Sequence, residues 1–121
     1  MNKTNGTKRR LLLFVLCASG LFAGTAGAHP PSEVDLKYAP QDGTLTIAAL
    51  HNVQNPADHY IKESVIRVDG KEVEKVELTS QTTPQESDLV TKLPNLAKGS
   101  VIEVTAECNK FGERKASLTV E

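Results

Sequence analysis

Tryptophan is absent from this 121-residue chain, and aromatic residues make up only 4% of it. Any hydrophobic core must therefore be built from Val, Ile, Leu and Ala, and β-branched members of that set favour strands. Histidine occurs three times, at His29, His51 and His59, and cysteine twice, at Cys17 and Cys108. So few ligand-type side chains leave room for one small site, assembled by tertiary structure. No stretch carries a sustained helical period, an internal repeat or a low-complexity tract. The longest apolar run, Leu11 to Ala23, is short for a bilayer crossing.

That run belongs to a leader. Lys3, Lys8, Arg9 and Arg10 precede it, and Ala26-Gly27-Ala28 follows as a small-residue cleavage site. Basic region, apolar region and small-residue site, in that order, describe a secretory signal peptide over residues 1–28. An uncleaved anchor fits less well because the apolar run is short. A lipoprotein signal at Cys17 lacks the expected small residue, since Leu16 precedes it. The expected product is one exported domain, residues 29–121, periplasmic or extracellular. Cleavage removes four of the 14 basic residues and none of the 15 acidic ones, leaving a net charge of −5. That balance excludes nucleic acid as a natural partner and gives no reason for attachment to an anionic membrane after cleavage.

Cleavage also leaves Cys108 without a disulfide partner. A lone thiol in an oxidising compartment is a liability unless it is buried or bound to a metal. Either role accounts for it.

From Ser32 onward the pattern has period two. Val34, Leu36 and Tyr38 alternate with charged residues, and a turn follows over Ala39–Gly43. Leu45, Ile47 and Ala49 form the next inward stripe, with His51 as its continuation. Tyr60–Val68 and Lys71–Leu78 read as a hairpin around Asp69-Gly70. Thr79–Ser87 is a polar loop and Asp88–Leu93 a short strand. Ile102, Val104 and Ala106 form another inward stripe, continued by Cys108, and Lys115–Val120 is a last strand. About seven short strands predict an all-β, immunoglobulin-like antiparallel β-sandwich.

His51 and Cys108 thus end their stripes in the same manner. The Asn-Pro turn between His51 and His59 lets the two imidazoles converge. Scattered over the chain, three histidines and a cysteine form a weak metal signal, and a satisfied core or surface histidine explains each one singly.

The strings His51…Asp58-His59-Tyr60-Ile61 and Cys108-Asn109-x-x-Gly112 resemble the superoxide reductase (desulfoferrodoxin and neelaredoxin) iron domain. The resemblance extends from His29-Pro30 to the last strand. It implies a β-sandwich with mononuclear ferrous iron held by histidine nitrogens and an axial thiolate. It further implies superoxide as substrate, reduced to peroxide, with electrons from an external donor. Carried over by position, it makes His29, His51, His59 and Cys108 the metal ligands. Imidazoles suit ferrous iron, the thiolate is a strong donor, and amides of the Asn109–Gly112 turn are placed to tune the sulfur. Phe111 stands where the family has its last histidine. The lysine that the family uses to attract the anion has no counterpart after cleavage. A mature N-terminus at His29 would add an α-amino group with a pKa near ~8. Amine and imidazole together form a chelate that suits copper, the alternative metal. The alternative function is a non-catalytic metal-binding or redox-partner module of the same fold.

Overall fold

The computed structural model describes residues 29–121; the expected signal peptide, residues 1–28, lies outside the described residues. Seven strands follow in order: β1 (Glu33–Ala39), β2 (Thr44–Leu50), β3 (Ile61–Val68), β4 (Lys71–Glu77), β5 (Glu86–Lys92), β6 (Val101–Cys108) and β7 (Glu113–Thr119). They form a three-stranded sheet, β1-β2-β5, and a four-stranded sheet, β4-β3-β6-β7, antiparallel throughout. This is the immunoglobulin-like sandwich that the strand spacing predicts. Among the described residues no helix is long and apolar enough to cross a membrane.

The inward stripes are where the period-two pattern puts them. Leu45, Ile47 and Ala49 of β2 and Ile102, Val104 and Ala106 of β6 are all buried, joined by Val34, Ile61, Ile66, Leu93 and Val120. Leu36, Tyr38, Leu89 and Leu118 pack around them half-buried. Each fully buried aliphatic side chain contributes about 1.5–3 kcal/mol, which makes this small aliphatic core adequate without tryptophan.

Two boundaries differ from the sequence reading. β5 starts at Glu86 rather than Asp88, because the Thr83 hydroxyl accepts the amides of Gln85 and Glu86 and launches the strand. β7 starts at Glu113 rather than Lys115, where it pairs with Glu107. The Asp69-Gly70 hairpin is as predicted: both residues have positive φ, 50° and 83°, as a two-residue turn matching strand twist requires.

Register brings the two histidine-bearing and cysteine-bearing segments to one end. β3 opens beside the end of β6, with Ile61 opposite Cys108. A bulge between Ile61 and Glu63 absorbs one residue there. It keeps Ile61 inward at the ligand end while Ser64 and Ile66 remain inward further along. β2 ends at Leu50 in the facing sheet, so His51 leaves from the same end of the sandwich.

Candidate metal centre

His51 is fully buried, Cys108 is 3% exposed and His59 is 8% exposed. One ligand atom from each lies within 4.8 Å of the others. His59 Nε2 is 3.1 Å from Cys108 Sγ. The His51 and His59 rings stand nearly perpendicular with centroids 4.7 Å apart. The loop between them therefore does converge its two imidazoles. The two stripes ending in His51 and Cys108 deliver their donors to one point.

Several contacts hold the loop. The Asn55 carbonyl accepts the amides of Asp58 and His59, and its side-chain Oδ1 accepts that of Ala57. Asn109 then ties the loop to the cysteine turn. Its Oδ1 accepts the Tyr60 amide at 3.0 Å, and its Nδ2 donates to the Asp58 carbonyl at 2.9 Å. Its own amide donates to the Tyr60 carbonyl at 3.0 Å. Three hydrogen bonds, each with a net contribution of about 1 kcal/mol, thus fix the position of His59 relative to Cys108. The ammonium of Lys110 adds an ion pair with Asp58 at 3.3 Å. In the turn after Cys108, the Lys110 amide points at Sγ from 3.4 Å, the sulfur contact expected of this turn.

Gly112 completes the turn with φ of 84°, and its amide oxygen accepts the Cys108 amide. A Cβ there would come within 3.0–3.3 Å of the Pro30 ring. Glycine is needed both for the backbone and for the close approach of the N-terminal strap. Arg114 Nε holds the strap's next residue through the Pro31 carbonyl at 2.6 Å.

The strap carries His29 alongside the cluster, its ring centroid 4.9 Å from His51 and 5.4 Å from His59. Its ring nitrogens do not join the three clustered donors. Nδ1 faces the Pro30 carbonyl at 2.9 Å and Nε2 the Asn52 carbonyl at 3.0 Å. What residue 29 places at the centre instead is its main-chain oxygen, 3.1 Å from His51 Nε2. Phe111 projects into solvent, 65% exposed, and takes no part.

Burial is the main reason the His59 imidazole is held below its ordinary pKa. The neighbouring His51, His29 and Lys110 push in the same direction, against Asp58. The result favours the neutral ring, the form that ligates metals.

The donor set fits a metal ion, and the spacing of one donor pair matches one. Two ligands bound cis to one ion, nitrogen at ~2.1 Å and sulfur at ~2.3 Å, stand ~3.1 Å apart. That is the observed His59–Cys108 separation.

The chain is similar to superoxide reductases of the neelaredoxin type. Superoxide reductase (neelaredoxin) from Ignicoccus hospitalis has a TM-score of 0.45 and 20% identity, over 79% of this chain and 84% of that one. A glutamate-to-alanine variant of it has a TM-score of 0.47 and 19% identity, over 79% and 83%. A threonine-to-lysine variant has a TM-score of 0.45 and 20% identity over the same shares. No protein-family model and no curated protein matches the chain.

One residue at the site escapes sequence reasoning. Gln81, in the polar loop Thr79–Ser87, is buried against His51 with its Oε1 2.8 Å from Nδ1. A glutamine in a polar loop carries no period and no motif, so nothing in its surroundings marks it.

Proposed function

We propose that the chain is an exported mononuclear iron protein that reduces superoxide to peroxide at a centre built on His51, His59 and Cys108. The observation that carries this reading is the convergence of two buried imidazoles and a buried thiol at one end of the sandwich. The Asp58-His59-Tyr60-Ile61 and Cys108-Asn109-x-x-Gly112 strings support it. His29 is the fourth proposed ligand, and its ring would have to release the Asn52 carbonyl to join.

Ferrous iron, when bound, supplies the one electron that, with two protons, converts superoxide to hydrogen peroxide. The reading calls for an external one-electron donor. The protein's part is to hold the donors. His51 and His59 offer neutral imidazole nitrogens, and Cys108 gives up its proton to bind as thiolate. The Lys110 amide directs a positive dipole at the sulfur, moderating its donation and tuning the potential. Asn109 holds the loop and turn together and so sets the nitrogen–sulfur spacing. Export through the leader at residues 1–28 would place the domain in the periplasm or outside the cell.

A second reading has its own observation. Two imidazoles, one thiolate and a nearby main-chain oxygen, that of His29, form the donor set of copper electron-transfer sites. The corresponding function is a copper-binding redox partner without turnover.

One experiment separates them. The protein is purified anaerobically, its bound metal measured, and superoxide added to the ferrous form. Stoichiometric iron, a thiolate-to-iron absorption band and superoxide consumption are expected. Tight copper with an intense thiolate-to-copper band, and no superoxide consumption by the iron form, would replace the first reading with the second. Failure to hold either metal would remove both.

A further inference from the structure

We propose that Gln81 fixes the tautomer of His51 and thereby decides which of its ring nitrogens carries the free lone pair. Its consequence for metal binding rests on the reading of that cluster as a metal centre; the tautomer itself does not.

Gln81 is 5% exposed, and its side-chain amide meets three groups. Its nitrogen lies 2.6 Å from the His51 carbonyl and 2.9 Å from the Thr83 carbonyl. Carbonyl oxygens only accept, so the NH2 of the amide must point at them. The opposite orientation would set an oxygen against two oxygens and lose both bonds. The amide oxygen therefore faces His51 Nδ1 at 2.8 Å, and it too only accepts. Nδ1 must carry a proton. A neutral imidazole has one N–H, so the lone pair of His51 lies on Nε2.

The backbone fixes the arrangement further. The Gln81 amide donates to the Pro56 carbonyl at 3.0 Å, and the His51 amide to the Gln85 carbonyl at 2.8 Å. Gln81 thus bridges the middle of the histidine loop to the residue that begins it. On the other side of the ring, Nε2 faces the His29 carbonyl at 3.1 Å. With the proton on Nδ1, two lone pairs point at each other across that gap. This contact is unfavourable until a positive charge, a second proton on the ring or a metal cation beside both atoms, offsets it. Gln81 is in this sense a positioning residue. By accepting from Nδ1–H it orients the ring and raises the donor strength of Nε2, as outer partners of metal-bound histidines do.

The test uses the full chain in three forms: the natural protein, Gln81→Leu and Gln81→Glu. Each is stripped of metal by chelation and labelled with 15N. Long-range proton–nitrogen correlation at pH 8 reads the tautomer of His51 directly. The natural protein should show Nδ1–H. Gln81→Leu removes the acceptor and should move the proton to Nε2, where the His29 carbonyl receives it. Gln81→Glu restores an acceptor at Nδ1, at the cost of the two donations to the His51 and Thr83 carbonyls, and should restore Nδ1–H. Affinities for ferrous and cupric ions, measured separately, should fall ~10–100-fold in Gln81→Leu and recover most of that loss in Gln81→Glu. A natural protein with Nε2–H on His51, or a Gln81→Leu variant that keeps Nδ1–H, would overturn the proposal. If the tautomers behave as expected but no form binds metal, the role of Gln81 in setting the tautomer stands and the metal centre falls.

Discussion

The two ends of this sandwich are closed by different means. At the end away from the histidines, the backbone closes on itself. The Tyr38 hydroxyl donates to the Leu93 carbonyl at 2.6 Å, and the Leu93 amide to the Gly43 carbonyl at 2.7 Å. Asp69 and Val101 exchange two bonds, one through the Asp69 side chain. Gly99, Ser100 and Val120 close the last strand in the same way. At the other end, His51, His59 and Cys108 are just as buried, yet their ligand atoms converge on one another, with only a His29 carbonyl and a Lys110 amide from the backbone beside them. Burying polar groups that way adds little to stability, because each gives up water for an imperfect contact. One end is built to stay folded and the other to hold something.

Substitutions at the two ends should separate those roles. The largest effect is expected from Cys108→Ser, which should weaken metal affinity by more than ~100-fold, beyond the range seen for outer partners. It should also abolish the thiolate absorption band while shifting the urea midpoint little. Retention of the band would mean the sulfur is not a ligand. Next is Ile102→Ala in the core toward the closed end, which should cost about 2–5 kcal/mol in urea unfolding. The metal affinity of the protein that remains folded should be unchanged; a matching loss of affinity would erase the distinction between the ends. Asn109→Ala should fall between the classes. Losing its two side-chain bonds should lower stability by about 1–3 kcal/mol and metal affinity by ~10-fold, since it holds His59 to Cys108. Tyr38→Phe should cost about 1 kcal/mol, with no change at the metal.

A pH titration sharpens the same comparison. In the metal-free protein the folded state holds His59 below its ordinary value, chiefly by burial. The unfolded chain takes up that proton more readily, so stability should fall as pH drops below the ordinary histidine value of about 6.5. Above that value His59 makes no such difference. The His59→Gln variant should show a flatter profile on the acid side; an unchanged slope would assign the effect to other groups.

Much of this was legible in the sequence, for a definite reason. Period-two stripes are read by counting, and Leu45/Ile47/Ala49/His51 and Ile102/Val104/Ala106/Cys108 keep their phase to the last residue. A stripe that ends in a donor aims that donor at the end of the core. The hairpin at Asp69-Gly70 was equally plain, because positive φ at two successive positions selects such residues. His29 was legible as a neighbour of the centre but not as a ring turned away from it. Its orientation depends on how the Pro30–Pro31 strap lies against Gly112 and Arg114, a contact across about eighty residues of chain. Gln81 lay beyond reach for a similar reason: its partner is thirty residues away and its own loop has no pattern. The start of β5 was missed because a single threonine hydroxyl, not the strand's composition, sets it.

The pairing of His59 with Cys108 spans 49 residues of chain. Between them lie β3, β4 and β5 and most of β6, so the spacing of nitrogen and sulfur exists only after β3 has paired with β6. No short segment holds enough of the centre to capture an ion during synthesis. Loading must follow folding, and non-local pairing of this kind forms late. Once loaded, the ion opposes every route back through an open sandwich, because it binds the folded chain alone. Occupancy of the centre is thus a record that the chain has completed its fold.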